Sequence, residues 1–218
     1  ERGLNMSILG TDNLGVFVAA GLLLNITPGA DMLFIASRSA AQGPRAGVIA
    51  ALGIGAGCLF HILCAALGLS VVLATSALAF TAVKYAGAFY LIYLGIASFR
   101  SIGAGTKVTA GEAAPLAPAR IFKQAILINA LNPKVALFFM ALLPQFVSPA
   151  ANHPSLAFLF LGALFNFNGT IVNVAFALLS SRLADRFRHS AVLVRLCRTA
   201  AAVLFIGLGL RLAMTAWK

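Results

Sequence analysis

No residue between Arg45 and Lys84 carries a fixed charge, which leaves an uncharged stretch from 46 to 83. A helical span of a bilayer needs roughly 20 apolar residues, so this stretch holds one long span and the start of another. It lacks the alternation of apolar and polar residues that a membrane β-strand requires, and backbone groups in lipid must be satisfied internally. With 61% apolar and 10% charged residues, the chain is predicted to be an all-α, polytopic membrane protein.

Apolar runs separated by polar or basic segments predict six transmembrane helices, at about 13–35, 46–73, 80–99, 122–147, 155–180 and 199–216. Six spans form two halves of three, residues 1–99 and 122–218. A predicted cytoplasmic linker at 100–121, rich in Gly, Ala, Thr and Pro, joins them. Residues 1–5 precede Met6 and are interpreted as an expression remnant or an upstream start. The first apolar run continues to a full span, so no cleavable signal peptide is expected.

The basic residues are distributed unequally between the connections. The net charge is +11, and eleven of the sixteen Lys and Arg residues fall in or beside the first, third and fifth connections: Arg38, Arg45, Arg100, Lys107, Arg120, Lys123, Arg182, Arg186, Arg188, Arg195 and Arg198. The second connection, at about 74–79, has none, and the fourth, at about 147–154, has only His153. The positive-inside rule then places the basic side in the cytoplasm and both termini outside. No aromatic-interleaved basic motif accompanies the charge, so a nucleic-acid partner is not expected.

The beginning of the second half resembles the beginning of the first. Pro28 aligns with Pro133 at a separation of 105 residues (133 − 28), and the segments around them align too. Segments 84–95 and 198–209 align at a separation of 114 residues (198 − 84). Since each half has an odd number of spans, the second copy is predicted to be inverted relative to the first. This architecture is common among secondary transporters.

Both repeats are predicted to contain a broken helix, in spans one and four. Proline removes a backbone hydrogen bond and pushes the preceding residue out of helical geometry. Thr27 and Asn132 are favourable N-cap residues directly before Pro28 and Pro133, which is typical of a restarting helix. The restarted N-terminus would offer free amides to a substrate carboxylate. The other members of this predicted site are Asn25, Gly29 and Asn129. The alternative is a packing kink.

Asp31 is the only acidic residue within a predicted span, and Lys134 is the corresponding charge in the second half. Burying an ionised group in a membrane is costly, so intramembrane acids usually face a cavity and have a functional partner. Asp31 is a candidate proton carrier or holder of a substrate ammonium, and Lys134 a candidate carboxylate partner or countercharge. Two alternatives stay open: interfacial residues that reach for headgroups, or a static ion pair that locks the halves.

Further polar residues lie within the second and fifth predicted spans. His61 is either a proton relay or a hydrogen-bonded structural histidine. Asn166 and Asn173 are seven residues apart and share one helix face. Polar side chains in such positions either line a pathway or form hydrogen bonds between helices.

Motifs for other functions are not found. The three glycines of the run 53–57 lie inside an apolar helix and favour close helix packing over a nucleotide loop. The three cysteines, at 58, 64 and 197, have no metal-site spacing and are interpreted as packing residues. No Walker, zinc-protease or nucleophile-elbow motif is present, so neither an enzyme nor a bound cofactor or metal is expected.

Four segments carry a family resemblance: Thr27-Pro28-Gly29-Ala30-Asp31, Ser37 to Gly47, Lys84 to Gly95, and Asn129-Ala-Leu-Asn132-Pro133-Lys134. Together they resemble the lysine exporter and homoserine/threonine-resistance family (LysE/RhtB) of bacterial amino-acid exporters, over nearly the whole chain from Met6. One departure is Ala30, where the family often has a second proline. The resemblance implies export across the bacterial inner membrane, in exchange for protons, of homoserine, its lactone, threonine, branched-chain residues, cysteine or lysine. One intramembrane acid and one intramembrane lysine favour a neutral zwitterion over a dication.

Three classes of function compete. A proton-coupled exporter would bind its substrate between the two broken helices and work by alternating access. An ion or metal-cation exporter would need a cluster of oxygen ligands, and a single intramembrane carboxylate supplies few of them. A non-transporting scaffold in the lipid bilayer would give the broken helices no purpose. A helix face of small residues could support a homodimer.

Overall fold

The computed structural model describes residues 8–27, 29–69, 114–148 and 151–189, with scattered positions between 81 and 100 and between 199 and 214. These residues are almost entirely helical, and the strand-like pairing among them is one isolated bridge. The longer helices are α1 (Leu14–Ile26), α2 (Ala30–Gln42), α3 (Pro44–Cys64), α4 (Pro118–Ala130), α5 (Pro133–Leu142) and α6 (Pro154–His189). Short helical turns accompany them at Ile8–Gly10, Ala65–Leu69 and Leu143–Phe146.

The helices have the length and apolarity of membrane spans. Pro44–Gly68 and Pro154–Ser180 are each sufficient to cross a bilayer, and the pairs α1–α2 and α4–α5 each qualify as one bent span, with bends of 51° and 46°. These four match the first, second, fourth and fifth predicted spans, which confirms a helical, multi-span membrane protein. The third and sixth predicted spans, 80–99 and 199–216, lie largely outside the described residues. The count of six spans and their inverted arrangement therefore stay predictions.

The second helix break has the predicted cap. Asn132 has extended backbone geometry, and its side-chain oxygen accepts a hydrogen bond from the Lys134 main-chain N–H over 3.0 Å. Pro133 is the first residue of α5, where the missing N–H of proline costs nothing. This arrangement restarts the helix after a break of only two residues.

The prediction that Thr27 caps the restarted helix at the first break is wrong. The Thr27 hydroxyl donates back to the carbonyl of Leu23 over 2.6 Å, so Thr27 ends α1. The N-cap of α2 is Gly29, whose backbone is extended, and the helix begins at Ala30. A threonine hydroxyl can bond forward as a cap or backward to the preceding turn, and here the backward bond is formed. Pro28 lies outside the described residues.

Two helix boundaries differ from the predicted spans. Helix α4 begins at Pro118 rather than at about 122, because Ala117 is extended and Pro118 is well suited to the first helical position. Helix α6 continues to His189, beyond the predicted end near 180. Its last turns thus carry the basic end of the fifth span.

Helix α3 packs closely against its neighbours through its glycines, as predicted. A Cβ atom added at Gly53 would lie 2.7 Å from the carbonyl oxygen of Phe122 on α4, and one at Gly57 would lie 2.6 Å from that of Ile126. Only glycine permits this approach of two helix backbones. The close contact holds the end of α4, where the second break begins, beside the middle of α3.

Two short pairings join the ends of the bent spans. The backbone around Thr11 forms an antiparallel bridge with that around Val147. At the end of α2, the Gln42 side chain makes two hydrogen bonds to the Leu116 backbone, 2.9 Å to its carbonyl and 3.0 Å from its N–H. Arg38 adds a bond to the carbonyl of Ala114 over 3.1 Å. Each pairing links the start of one bent span to the end of the other.

Candidate functional site

A small cavity lies beside the two helix breaks. Its volume, counted as space open to the centre of a water molecule, is about 20 Å³, which is room for one or two waters. The predicted site residues that line it are Asn25, Asp31, Asn129, Lys134, Asn166 and Asn173. Residues from both halves of the sequence thus meet at one site.

Asp31 is held by an amide from the second half. It is the second residue of α2 and is 9% exposed. Its Oδ2 accepts a hydrogen bond from the Nδ2 of Asn129, in the last turn of α4, over 3.1 Å. Its Oδ1 is buried and has no hydrogen-bond partner among the described residues. A carboxylate near a helix N-terminus is favoured by the helix dipole, so this position suits a negative charge.

Lys134, from the second half of the sequence, bonds to the end of α1 in the first half. Its ammonium donates to the main-chain carbonyls of Leu24 and Thr27, at 3.1 and 3.0 Å. The last carbonyls of a helix lack partners within it and carry partial negative charge, so a cation is a favourable partner there. Gly29 makes room for this contact, because a Cβ atom at that position would lie 3.1 Å from the ammonium nitrogen.

The two charged side chains are not the static ion pair that the sequence left open as an alternative. In the described part of the chain, Lys134 bonds to carbonyl oxygens, whereas Asp31 bonds to an amide. Both line the same cavity without bonding to each other.

Neutral polar side chains complete the lining. The Asn25 side chain lies against α6, where a Cβ atom added at Gly169 would approach it to 3.0 Å. Asn166, Thr170 and Asn173 follow one another along one face of α6 and all line the cavity. The site thus combines one carboxylate and one ammonium with amide and hydroxyl groups.

His61 lies behind the lining. It is 5% exposed, and its Nε2 is 2.9 Å from the main-chain carbonyl oxygen of Asn129. Because a carbonyl only accepts hydrogen bonds, Nε2 carries the hydrogen in this contact. The ring also packs against Phe60 and Phe139. His61 thus positions the backbone that carries Asn129, and it is not among the described residues that line the cavity.

The remaining predicted site residues act through the backbone or lie elsewhere. Thr27 contributes a carbonyl, Gly29 contributes space, and Asn132 and Pro133 form the cap of α5. Pro28 lies outside the described residues.

Several lining residues were not predicted: Leu24, Met32, Ile54, Gly55, Cys58, Val135, Phe165, Gly169 and Thr170. Thr170 could have been found, because it stands four residues after Asn166 and three before Asn173 and so shares their helix face. Gly55 and Cys58 were interpreted as packing residues only. In the described residues, no group of three His, Cys, Asp or Glu side chains could hold a metal ion.

Comparisons with known proteins add a second kind of evidence. Residues 22–216 match the family model described as LysE type translocator. An uncharacterized membrane protein of Pseudomonas aeruginosa is 32% identical over 213 residues, covering 95% of this chain and 98% of that relative. A homoserine/homoserine lactone efflux protein of Salmonella typhimurium is 35% identical over 169 residues, covering 77% of this chain and 80% of that relative. No solved structure matches the chain significantly.

Proposed function

Because the chain belongs to the LysE type translocator family, as its sequence resemblance predicted, we propose that it exports small neutral amino acids or their close derivatives. The observation that carries this proposal is the cavity that Asp31 and Lys134 both line, each with its own hydrogen-bond partners. A zwitterionic substrate has an ammonium that can pair with Asp31 and a carboxylate that can pair with Lys134.

The neutral lining favours an uncharged side chain on the substrate. Besides Asp31 and Lys134, the polar lining residues are the four asparagines 25, 129, 166 and 173 and the hydroxyl of Thr170. Amides and hydroxyls suit a short polar group such as that of homoserine or threonine. A second positive charge, as on lysine, would lack a second carboxylate. The relative from Salmonella typhimurium, named for homoserine and its lactone, supports the same class of substrate.

Alternating access is the mechanism we propose. A cavity of about 20 Å³ is too small for an amino acid, so the site must widen toward one side of the membrane at a time. The two pairings at the ends of the bent spans are placed to control this. Thr11 and Leu116 are 105 residues apart (116 − 11), as are Gln42 and Val147 (147 − 42). The prolines have the same separation, which supports two inverted repeats with one gate each.

The basic loops assign a side to each gate. Gln42 and Leu116 lie close in sequence to the basic residues Arg45 and Arg120, which are in the first turns of α3 and α4. This gate is proposed to face the cytoplasm, and the Thr11–Val147 gate the outside of the inner membrane. Opening the first would admit the substrate, and opening the second would release it.

The position of Asp31 supports the further proposal that export is coupled to proton exchange. Its carboxylate can be neutralised by a proton or paired with a substrate ammonium, and both compensate the same buried charge. Binding of one therefore displaces the other. A proton that enters from outside would release the substrate there and return inward, which couples export to the proton gradient.

Efflux of radiolabelled homoserine, threonine and lysine from proteoliposomes, with and without an imposed pH gradient, tests the proposal. We expect gradient-dependent efflux of homoserine and threonine, little efflux of lysine, and loss of homoserine efflux in Asp31→Asn. The matched controls Asp12→Asn and Lys123→Met, outside the cavity, should retain it. A well-folded wild-type protein that moves none of these amino acids would overturn the proposal.

A further inference from the structure

Two buried acceptor oxygens without a partner belong to side chains that line the cavity. They are Oδ1 of Asp31 and Oδ1 of Asn129, and within the described residues neither accepts a hydrogen bond. Their side chains are 9% and 3% exposed. A buried acceptor left unsatisfied costs free energy, and a carboxylate costs more than an amide. The pair therefore provides a site for a group that donates several hydrogen bonds.

The orientation of the Asn129 amide is fixed by its neighbour. A carboxylate only accepts hydrogen bonds, so the group facing Oδ2 of Asp31 must be the Asn129 Nδ2, which lies 3.1 Å away. The Asn129 Oδ1 is then available as an acceptor. The main chain of the same residue is fixed by His61 at its carbonyl and by the close approach of Gly57 to its Cβ. Asp31 Oδ1 and Asn129 Oδ1 are therefore held in position before a substrate binds.

The side chains that line the cavity also include hydrogen-bond donors. The Nδ2 of Asn25 is buried and has no acceptor in the described part of the chain. The Lys134 ammonium has three hydrogens and already donates to two carbonyls, at 3.1 and 3.0 Å. The two charged groups thus differ: the Asp31 carboxylate and the amide oxygen of Asn129 have unmet hydrogen-bonding capacity, whereas the Lys134 ammonium is largely satisfied before a substrate arrives.

We propose that Asp31 Oδ1 and Asn129 Oδ1 form the binding site for the α-ammonium of the substrate, which makes the ammonium the obligatory recognition element. In this proposal the carboxylate of the substrate is bound by Lys134 and Asn25, and an uncharged ester can replace it. A substrate without an ammonium leaves two buried acceptors unpaired, whereas one without a carboxylate leaves Lys134 with its own carbonyl partners. This inference rests on the proposed export of amino acids and states how the substrate is oriented in the same site.

Competition against radiolabelled homoserine in wild-type proteoliposomes tests this orientation. The competitors are homoserine lactone, which keeps the ammonium and lacks the free carboxylate, and 4-hydroxybutyrate, which keeps the carboxylate and lacks the ammonium. A hydrogen-bonded charge contributes about 1.5–3 kcal/mol, or about tenfold to a hundredfold in affinity. We expect the lactone to compete within about tenfold of homoserine and 4-hydroxybutyrate to compete about a hundredfold more weakly.

Two variants give a second, independent readout. Asn129→Leu should weaken the binding of homoserine and that of its lactone by the same factor, about tenfold or more. Lys134→Met should weaken the binding of homoserine but change that of the lactone by less than about threefold, since the lactone has no carboxylate for the lysine to pair with. Lys123→Met, an exposed lysine on α4, is the control. If either cavity variant fails to fold, the competitor series in the wild-type protein still decides.

The outcomes separate the two proposals. Transport of homoserine with 4-hydroxybutyrate competing as well as the lactone, or better, would overturn the ammonium site alone. A wild-type protein that does not move homoserine would overturn the proposed function, and the ammonium site with it.

Discussion

The Lys134 ammonium donates a hydrogen bond to the carbonyl oxygen of Thr27 over 3.0 Å, from the second helix break to the first. Asp31 makes the reverse connection, from the first break to Asn129 at the end of α4. Each restarted helix therefore contributes a charged residue from its first turn to the end of the helix before the other break. Because the breaks depend on each other, a change at one is expected to affect both.

The first prediction concerns stability. Lys134→Met should destabilise the protein by about 1–3 kcal/mol per carbonyl left unsatisfied, because Leu24 and Thr27 lose their donor. Unfolding of the purified protein in detergent measures the effect, with Lys123→Met as the control for loss of a positive charge. Equal stability of the two variants would show that the contact across the breaks contributes nothing.

The second prediction concerns the size of the cavity. A Cβ atom at Gly55 would lie 2.7 Å from Oγ1 of Thr170, so Gly55→Ala should narrow the site and raise the KM for homoserine, by about tenfold if the overlap costs about 1–3 kcal/mol. Adding Thr170→Ala should lower this raised KM again, though not to the wild-type value, because it removes both the steric overlap and a lining hydroxyl. Gly15→Ala is the control, because among the described residues nothing beyond the adjacent backbone of α1 lies within 4 Å of that Cβ position. An unchanged KM in Gly55→Ala would contradict this account of the lining.

The third prediction concerns the proposed outer gate. Asp12 N–H bonds to the Phe146 carbonyl and Ser148 N–H to that of Gly10, so Thr11 and Val147 form a non-hydrogen-bonded pair. Cα atoms in such a pair are about 4.5 Å apart, within the range of a disulfide. In a variant without the native cysteines, Thr11→Cys with Val147→Cys should oxidise readily and stop efflux.

Reduction of this disulfide should restore efflux, and each single cysteine variant should be unaffected by oxidant. Full efflux with the disulfide formed would mean that the Thr11–Val147 pairing does not open during transport.

Much of this site could be predicted because polar residues in apolar spans are costly and therefore few. Asp31 and Lys134 were identified on that ground, whereas the two breaks were predicted from the aligned prolines, and the structure brings both charged residues to one cavity. Their hydrogen-bond partners were not predictable. Whether Lys134 meets Asp31 or a helix end depends on how the two bent spans cross, and bends of 51° and 46° are not encoded in any local pattern.

The cap at the first break shows a different limit. Thr27 and Asn132 are both good N-cap residues, yet only Asn132 acts as one. The hydroxyl of Thr27 bonds to the preceding turn instead, a choice between two local bonds of similar strength. Thr170 was omitted for a simpler reason, since threonine is common in membrane helices and only its spacing from Asn166 and Asn173 marks it.

Substrate protection of Cys58 tests most directly the claim that this cavity binds the transported amino acid. Cys58 lines the cavity and is buried, so an alkylating reagent reaches it only when the site widens, whereas Cys64 on the same helix is exposed. In variants that retain one of these two cysteines, the rate of alkylation by N-ethylmaleimide would be measured with and without homoserine. We predict that homoserine slows the alkylation of Cys58 severalfold and leaves that of Cys64 unchanged. Equal alkylation of Cys58 with and without saturating homoserine would contradict the assignment of the site.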